Sequence, residues 1–579
     1  MKKLLTLIMA IVMSLGCFVG AGCNRQGGEE FDNTKSHLYV GVYNAGYGVE
    51  WLKDIKTRYE AFYAEKEFEP GKKGIQVHIS DINPGNLFIS EVEHSTQEVF
   101  FTSNANYYEF IRKGYVLDIS DVVTGVATEY GDTVSIKGRM HETLNDFLQY
   151  TDDKYYGLVY TESSTGFVMN VDLWEDEELY FAKGGCPSEY CEFTQTNNDD
   201  AVEGTWSEDK LEFTGTGEKS AGPDGLYGTY DDGQPATFDE FYMFADKCAD
   251  ESINAFHVSG KWPQTFSKIM IPMVANIERE EQMLLNVNFN GTAKTLVNVD
   301  ASGNVFPLGD VAITPETGYK LAQQKGKYQV LKFFETLLTN HNYYDYDTCL
   351  NNLAHAHTDA QDDFVSGGIM DGKKKIALLC EGEWWFNEAQ PAFKVLEESK
   401  GAQYGSAERK FSMLSYPKAD ISQVGQKEIL YSAEPSVCMI NSNINQSKIE
   451  WAKDFVQFAF SNESCLKFTE FTNAVHPYAC TYPEGYLDGL HYYAKSIVER
   501  HANSIRLFGS DSSDMYVYNA TDFYNSEIFW SSTINGVTET QPATLIGKMG
   551  ASAETYFNGM QTFRTKEYWD GLYSQYYGN

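Results

Sequence analysis

The sequence is poor in basic residues. It has 45 Lys and Arg against 82 Asp and Glu, which gives a formal net charge of -37. Nucleic acids are bound through clustered Lys and Arg, so this deficit argues against a nucleic-acid partner, and it also disfavours an anionic ligand. The acidic excess indicates a solvated surface and identifies no ligand by itself.

Long apolar runs are also scarce. The one such run covers residues 4–15 and follows Lys2 and Lys3. It is shorter than the roughly 20 residues that a membrane span needs, and polar residues from Asn24 onward come after it. This pattern predicts an export signal over residues 1–22 that is cleaved, and a chain that lies outside the cytoplasm from about residue 37.

Small residues precede Cys23 in Gly20-Ala21-Gly22-Cys23. They resemble a bacterial lipobox, although Gly20 occupies a position where Leu or Val is usual. A lipobox implies a diacylglycerol on the Cys23 thiol, whose two acyl chains give a durable membrane anchor. Residues 23–36 would then form a polar tether. The alternative is an ordinary secretory signal with an incidental cysteine.

Disulfide and catalytic patterns are missing as well. Of ten cysteines, only Cys186 and Cys191 are close in sequence, and either a local disulfide or two free thiols fits an exported protein. The sequence contains no Gly-x-Ser-x-Gly, no His-Glu-x-x-His, no phosphate loop and no zinc-type cysteine spacing. His355 and His357 precede several aspartates and invite a metal interpretation, but a solvated loop or helix start is the simpler one.

Strand and helix patterns alternate in the first part of the chain. Residues 38–41, 74–79 and 98–101 are apolar or alternating, and residues 50–63 and 107–113 are amphipathic. Alternation of this kind predicts a largely parallel α/β sheet, with ligands at the carboxyl ends of the strands.

The later part of the chain mixes regular and irregular segments. Residues 184–233 are acidic and rich in glycine, which predicts an excursion between packed elements. Thr237 and Glu240 form a capping box that starts a helix reaching about Cys248. A hairpin is predicted over residues 286–314, and helices over residues 318–339, 446–460 and 552–563.

Asp224, Asp231 and Asp232 lie among glycines at the end of the acidic excursion. Oxygen-rich loops of this kind suit calcium. The spacing is not that of an EF-hand, and a simple turn is the main interpretation. We expect no cofactor beyond this candidate structural calcium.

Several segments follow one another in a distinctive order. They are Leu38-Tyr39-Val40-Gly41 with Gly46 and Trp51; Val99-Phe100-Phe101-Thr102 with Tyr107-Tyr108 and residues 114–119; Tyr156-Gly157-Leu158 leading into residues 167–173; residues 376–385, which end in Glu383-Trp384-Trp385; Ser436-Val437-Cys438-Met439-Ile440 with residues 448–460; residues 464–471; and, more weakly, residues 552–557. In this order they resemble the extracellular solute-binding proteins (family 1) of ABC transporters, the sugar-binding group related to maltose-binding protein.

The resemblance implies a two-lobed α/β fold of the periplasmic-binding-protein type II, crossed about three times by the chain. Lobe 1 is expected over residues 37–160 and 415–462, and lobe 2 over residues 161–414 and 463–579. It further implies a monomeric, non-enzymatic receptor that closes on a carbohydrate, expected to be an oligosaccharide, and delivers it to permease subunits. Met169, where Tyr is common, and the acidic insertion depart from the family pattern.

A sugar offers apolar C–H faces and polar hydroxyl edges, so its site needs aromatic platforms and hydrogen-bonding side chains. The residues that the resemblance places in the cleft fall into two groups. For stacking we predict Tyr47, Tyr107, Trp262, Trp384 and Trp385. For hydroxyl pairing we predict Asn44, Ser103, Asn104, Glu162 and Glu383. Trp384 and Trp385 are adjacent on a segment expected to be extended, so one should enter the core.

Other function classes stay open at this stage. A non-sugar solute such as a peptide would fit the same fold. A secreted glycoside hydrolase needs a pair of carboxylates, and no motif singles out such a pair. A surface module that gathers polysaccharide would share the anchor and the aromatic residues, but it would not need a two-lobe hinge.

Overall fold

A computed structural model describes residues 30–82, 92, 94–102, 107–162, 164–183, 218–432, 436–509 and 529–577. The signal segment, Cys23, Ser103, Asn104, Cys186, Cys191 and most of the acidic insertion lie outside the described residues. Within those ranges, none of the helices combines the length and the apolarity that crossing a bilayer requires.

The described elements alternate between strands and helices. The strands are β1 (Ser36–Val42), β2 (Ile75–Asp81), β3 (Val99–Thr102), β4 (Leu158–Thr161), β5 (Thr165–Asn170), β6 (Asn254–His257), β7 (Gly291–Ala293), β8 (Val297–Val299), β9 (Val305–Pro307), β10 (Val311–Ile313), β11 (Ile376–Gly382), β12 (Phe411–Met413), β13 (Ile429–Ser432), β14 (Ser436–Ile440), β15 (Ile505–Phe508), β16 (Ser532–Ile534) and β17 (Val537–Glu539). The α-helices are α1 (Glu50–Phe62), α2 (Tyr107–Lys113), α3 (Ser120–Thr124), α4 (Glu142–Leu148), α5 (Val171–Asp176), α6 (Phe238–Asp250), α7 (Gln264–Asn288), α8 (Lys325–Thr339), α9 (His357–Ser366), α10 (Trp385–Glu388), α11 (Gln390–Lys400), α12 (Ile449–Ala459), α13 (Asn462–Thr472), α14 (Tyr492–Asn503), α15 (Ala553–Phe563) and α16 (Lys566–Tyr577).

The first sheet has five strands in the order β2-β1-β3-β14-β4. β1 pairs in parallel with β2 and β3, whereas β14 pairs antiparallel with β3 and β4. Helix α1 covers this sheet with Trp51, Leu52, Ile55 and Tyr59, whose spacing lines one helical face. Helices α12 and α13 pack against α1.

The second sheet has four strands in the order β12-β5-β11-β6. β11 pairs in parallel with β6 and antiparallel with β5. Helices α6 and α9 pack against this sheet, and α14 packs against β12. Each sheet therefore has its own covering helices, as expected for two separate lobes.

The chain passes between the two sheets three times. The passages fall between β4 and β5, between β13 and β14, and between α13 and α14. Here β13 precedes the second crossing and pairs in parallel with β15, outside both main sheets. This arrangement confirms the predicted two-lobed α/β fold with three crossings.

Several predicted elements are confirmed. Thr237 caps α6 by accepting a hydrogen bond from the Glu240 backbone N–H at 3.2 Å, although the Glu240 carboxylate accepts from the Ala236 N–H at 2.6 Å rather than from Thr237. The hairpin predicted at residues 286–314 is a nested pair, because β8 pairs with β9 inside the β7–β10 pairing. The single helix predicted at residues 318–339 is divided, because the backbone of Gln324 is non-helical between a 3₁₀ turn over Gly318–Gln323 and α8.

The helical segment α7 was not predicted from the sequence, and it consists of two helices that meet at a kink at Arg279. Pro272 lies inside it, and Arg279 has a left-handed backbone with φ of 67°, so the propensity of the segment contradicts a continuous helix. Burial of apolar residues on both sides of these breaks, such as Phe266, Met273 and Val287, stabilises it nonetheless.

Candidate functional site

The carboxyl ends of several strands meet where the chain crosses between the lobes. In the first sheet β1, β3 and β4 run in the same direction, so Asn44 and Glu162 follow strands that end at one edge. In the second sheet Gly382 at the end of β11 pairs with Thr165 at the start of β5. Since residues 162–164 join the two edges, these strand ends face a common region between the lobes.

A loop after β1 touches a turn after β11 in this region. A Cβ atom added to Gly46 would lie 2.8 Å from Cδ1 of Trp384. The Asn387 side-chain amide donates to the Tyr47 carbonyl at 3.0 Å and to the Phe471 carbonyl at 3.1 Å. Gly46 has φ of 80°, a backbone that suits glycine, so the close approach of Trp384 depends on a residue without a side chain.

Glu162 is the first of three buried carboxylates beside this contact. It follows β4 and is 4% exposed. Its Oε1 atom lies 3.2 Å from Nη1 of Arg506 and 3.4 Å from Nδ1 of His501, while Oε2 lies 3.5 Å from Nε2 of His141. Burial alone would raise the pKa of Glu162, but Arg506, His141 and His501 outweigh it and hold this pKa well below its usual range.

Glu383 is the second carboxylate, and His501 joins it to Glu162. His501 Nε2 lies 3.0 Å from Oε1 of Glu383. The Ser164 hydroxyl donates to the same oxygen at 2.9 Å. A side chain on α14 therefore bridges the end of β4 in lobe 1 and the end of β11 in lobe 2.

Glu428 is the third carboxylate, and it lies immediately before β13. Arg500 donates to its two oxygens, from Nε at 2.9 Å and from Nη2 at 2.8 Å. Arg500 Nη1 also donates to the Ser164 hydroxyl at 3.1 Å and lies 3.6 Å from Glu383. Bidentate pairs of this kind are strong and fix geometry, so Arg500 couples the first and second crossings.

The cluster is balanced when His501 carries a proton, because three carboxylates then face Arg500, Arg506 and His501. Burial alone would lower the pKa of His501, but the charges of Glu383 and Glu162 outweigh it and raise this pKa to about 9. We infer that His501 is a cation at neutral pH.

This pKa predicts a pH dependence of stability. The folded pKa of His501 is about 9, above roughly 6.5 in an unfolded chain. Protonated His501 therefore stabilises the fold fully below about pH 6.5, and this stabilisation is lost as the pH rises towards 9. Denaturant unfolding of the wild type and of His501→Gln between pH 6 and pH 9.5 checks this, because only the wild type should show the loss. Parallel pH profiles of the two proteins would contradict the assignment.

A cavity of about 470 Å³ lies beside the buried cluster. His141 and Thr143 line it from lobe 1, and Tyr478 and Tyr482 from the third crossing. From the α14–β15 segment it is lined by Val498, His501, Ala502, Ser504, Ile505 and Arg506. Its size is that of a small-molecule site, and its wall mixes aromatic rings with hydrogen-bonding side chains.

Only some of the predicted ligand-binding residues lie together between the lobes. Glu162 and Glu383 come together through His501, and Trp384 is half-buried against Gly46. Asn44 is exposed and accepts from the Gly48 N–H at 2.8 Å. Trp262 is 39% exposed at the end of lobe 2 that carries His257.

Three predicted stacking residues are buried in this conformation. Tyr47 is covered, and Tyr107 donates its hydroxyl to the Leu148 carbonyl at 3.1 Å. Trp385 packs in the lobe 2 core, with its ring centroid 5.0 Å from that of Phe411. The expected extended segment is wrong here, because β11 ends at Gly382 and Trp385 begins α10. Of the two tryptophans, Trp384 is the one near the lobe contact.

Arg500, His501 and Arg506 were not predicted from the sequence. A signal was available, because these three cationic groups fall within seven residues of an acidic chain. Their carboxylate partners are distant in sequence, so the pairing itself could not be seen.

The predicted calcium residues lie close together. Asp231 accepts from the Asp224 N–H and from the Thr229 hydroxyl, both at 3.0 Å. Burial and the charge of Asp224 raise the pKa of Asp231. Among the described residues, however, this trio is not a group whose ligand atoms converge within 4.8 Å, and calcium stays a prediction.

Together, the two sheets and the three crossings define a two-lobed α/β fold, with a cluster of charged side chains between the lobes. No protein-family model matches the chain, and no curated protein sequence matches it. Solved structures do match, and the resemblance inferred from the sequence is confirmed at the level of the fold.

Three of these structures match most of the chain. A "Chitin oligosaccharide binding protein" is 13% identical with a TM-score of 0.51, over 93% of this chain and 99% of that one. MalE3 of T. maritima, solved with maltose bound, is 12% identical with a TM-score of 0.50, over 93% of this chain and 100% of that one. RafE in complex with raffinose is 12% identical with a TM-score of 0.50, over 91% and 100% of the two chains.

Proposed function

We propose that this chain is the extracytoplasmic solute-binding component of an ABC importer, and that it captures a carbohydrate between its lobes. The observation that carries the proposal is the meeting of the strand ends of both lobes, where His501 bridges Glu162 and Glu383 and where Trp384 approaches Gly46. In this account the contacts between the two loops belong to the closed conformation. Closure buries the ligand and creates the surface that a permease recognises.

The three carboxylates of the cluster, Glu162, Glu383 and Glu428, favour binding over bond cleavage. A glycosidase needs a carboxylic acid that holds a proton near neutral pH. The pKa values of Glu162 and Glu428 are instead lowered by their cationic neighbours, and Glu383 contacts His501 and Arg500. These groups serve better as fixed hydrogen-bond acceptors that position the lobes and a polar solute.

A carbohydrate fits the side chains around the crossings. Trp384 offers an indole face, and Tyr478 and Tyr482 line the neighbouring cavity together with Thr143 and Ser504. Aromatic faces match sugar C–H surfaces, and hydroxyl groups pair with sugar hydroxyls. The names of the three similar structures, which specify chitin oligosaccharide, maltose and raffinose, support the same class of ligand.

The remaining parts of the proposal concern location and partners. We propose lipid attachment at Cys23, membrane anchoring through that lipid, delivery to permease subunits, and a monomeric receptor. Globomycin, which blocks removal of lipoprotein signals, should cause the unprocessed precursor to accumulate. A Cys23→Ser chain should be released from the membrane fraction.

Calorimetric titration of the chain from Gly27 against mono- and oligosaccharides tests the proposed function, with the mixture analysed for cleavage products. One-to-one binding without product is the expected result. Product formation would make the protein a glycoside hydrolase. If no saccharide binds but a peptide library does, the ligand is a non-sugar solute and not a carbohydrate.

Trp384→Ala should weaken binding of the captured saccharide by roughly tenfold to a hundredfold, because loss of an aromatic platform and its buried area is worth about 1–3 kcal/mol. Trp451→Ala is the matched control, since Trp451 lies on α12 in lobe 1 away from the strand ends. Calorimetric titration should show weaker saccharide binding in Trp384→Ala and unchanged binding in Trp451→Ala. Equal affinity of Trp384→Ala and wild type would remove Trp384 from the site.

A further inference from the structure

A second cluster of chemically active side chains lies within lobe 2, apart from the crossings. His257 ends β6, His355 lies in the loop before α9, and Asp363 is on α9. Nε2 of His355 is 3.1 Å from Oδ2 of Asp363, and Nε2 of His257 is 3.5 Å from the same oxygen. Among the described residues, this is the group of three that offers ligand atoms all within 4.8 Å of one another.

These separations match the edges of a metal coordination tetrahedron. Zinc binds imidazole nitrogen and carboxylate oxygen at about 2.0–2.1 Å, so adjacent ligand atoms in a tetrahedral site are about 3.3–3.4 Å apart. The two separations of 3.1 and 3.5 Å bracket this value. The site could accept an ion with small adjustments of side chains.

The buried nitrogen of His257 is the second observation that points to a cation. His257 is 2% exposed, and its Nε2 atom, although 3.5 Å from Oδ2 of Asp363, forms no hydrogen bond of adequate geometry. Buried polar atoms without partners are rare in folded proteins. A metal ion on Nε2 would satisfy it.

The surroundings orient each ligand. Nδ1 of His257 lies 3.3 Å from Sγ of Cys349, which fixes the ring. Lys373 pairs with Oδ1 of Asp363, so the carboxylate presents Oδ2 to the histidines. The His355 carbonyl accepts from the Ser259 hydroxyl at 2.7 Å. Contacts of this second layer are typical of metal sites.

A nucleophilic role for the same residues is unfavourable. Cys349, His257 and Asp363 follow one another as in a thiol catalytic triad, but Cys349 is fully buried. Burial raises the pKa of its thiol, so the reactive thiolate is disfavoured.

We propose that His257, His355 and Asp363 form a binding site for one Zn²⁺ or a similar divalent transition-metal ion, with a water molecule as fourth ligand. Two imidazoles and one carboxylate favour such an ion over calcium, which takes oxygen ligands. The ion ties the loop before α9 to the end of β6. Lys261 donates its backbone N–H to the His355 carbonyl at 3.1 Å, so the same loop supports the segment that carries Trp262.

The test uses the chain from Gly27 stripped with a chelator. Competition with a chromogenic chelator should show one Zn²⁺ per chain, and His355→Gln or Asp363→Asn should weaken binding at least tenfold. His357→Gln is the matched control, because His357 lies in the same segment but pairs with Glu388. Its affinity should equal that of the wild type. Absence of stoichiometric binding, or equal affinity in all variants, would overturn the proposal.

A measurement on the wild type alone tests the site even if the variants fail to fold. X-ray absorption of the zinc-loaded chain should show nitrogen and oxygen neighbours at about 2.0–2.1 Å, including imidazole scattering. A sulfur neighbour at about 2.3 Å would overturn the assigned ligand set. Saccharide titration with and without zinc is a separate readout, so failure of the metal site and failure of carbohydrate capture are distinguishable.

Discussion

Replacing Arg500 by Met should lower the free energy of unfolding by about 3–5 kcal/mol, the usual cost of removing one partner of a buried ion pair. Arg500 is 1% exposed and donates to both oxygens of Glu428 while approaching Glu383. Met fills a similar volume but leaves both carboxylates without that cation. Denaturant unfolding monitored by tryptophan fluorescence measures the change.

Lys247→Ala provides the comparison for that experiment. Lys247 forms an ion pair with Glu251 at 3.1 Å on the surface of α6, and exposed helix pairs contribute about 0.3–0.5 kcal/mol. Similar losses in the two variants would mean that the cluster between the lobes is not an energetically coupled structure.

Replacing Gly46 by Val should weaken solute binding by about tenfold or more, because the variant disfavours the conformation in which the lobes touch. Gly46 has φ of 80°, and its added Cβ would lie 2.8 Å from the Trp384 ring of the other lobe. The new side chain would hold the loop and the turn apart. Calorimetric titration with a saccharide that binds the wild type measures the effect.

The variant Gly48→Val distinguishes an effect of blocked lobe closure on affinity from an effect of backbone strain. Gly48 has φ of 76°, close to that of Gly46, but a Cβ there would meet nothing within 4 Å. Both variants should lose similar stability, since both force a branched residue into the left-handed region. Only Gly46→Val should lose affinity. Equal losses of affinity would show that strain in the loop, rather than separation of the lobes, is responsible.

Elements with a regular apolar pattern or a local capping signal could be predicted from the sequence. The alternation around β1, α1 and β2 was clear because apolar spacing and packing agree there, and Thr237 supplied a direct N-cap signal. In α7, by contrast, Pro272 and the left-handed Arg279 conflict with helix propensity. The two helices of this segment form because their apolar residues are buried by tertiary packing, which a local pattern does not reveal.

The candidate site was predictable only in part. Glu162 and Glu383 follow strands whose ends the family resemblance brings together, so their proximity could be expected. His501 and Arg500 come from a helix beyond the third crossing, and long-range pairing of this kind depends on the assembled fold. Trp384 and Trp385 show a further limit, since the change from strand to helix after Gly382 decides which ring enters the core.

Small-angle X-ray scattering of the chain from Gly27, with and without a saccharide that binds it in titration, measures whether the two lobes close on their ligand. Capture between hinged lobes predicts a saturable decrease in the radius of gyration when the saccharide is added. The decrease should follow the same one-to-one isotherm as calorimetry. A bound saccharide that leaves the scattering curve unchanged would contradict capture by lobe closure.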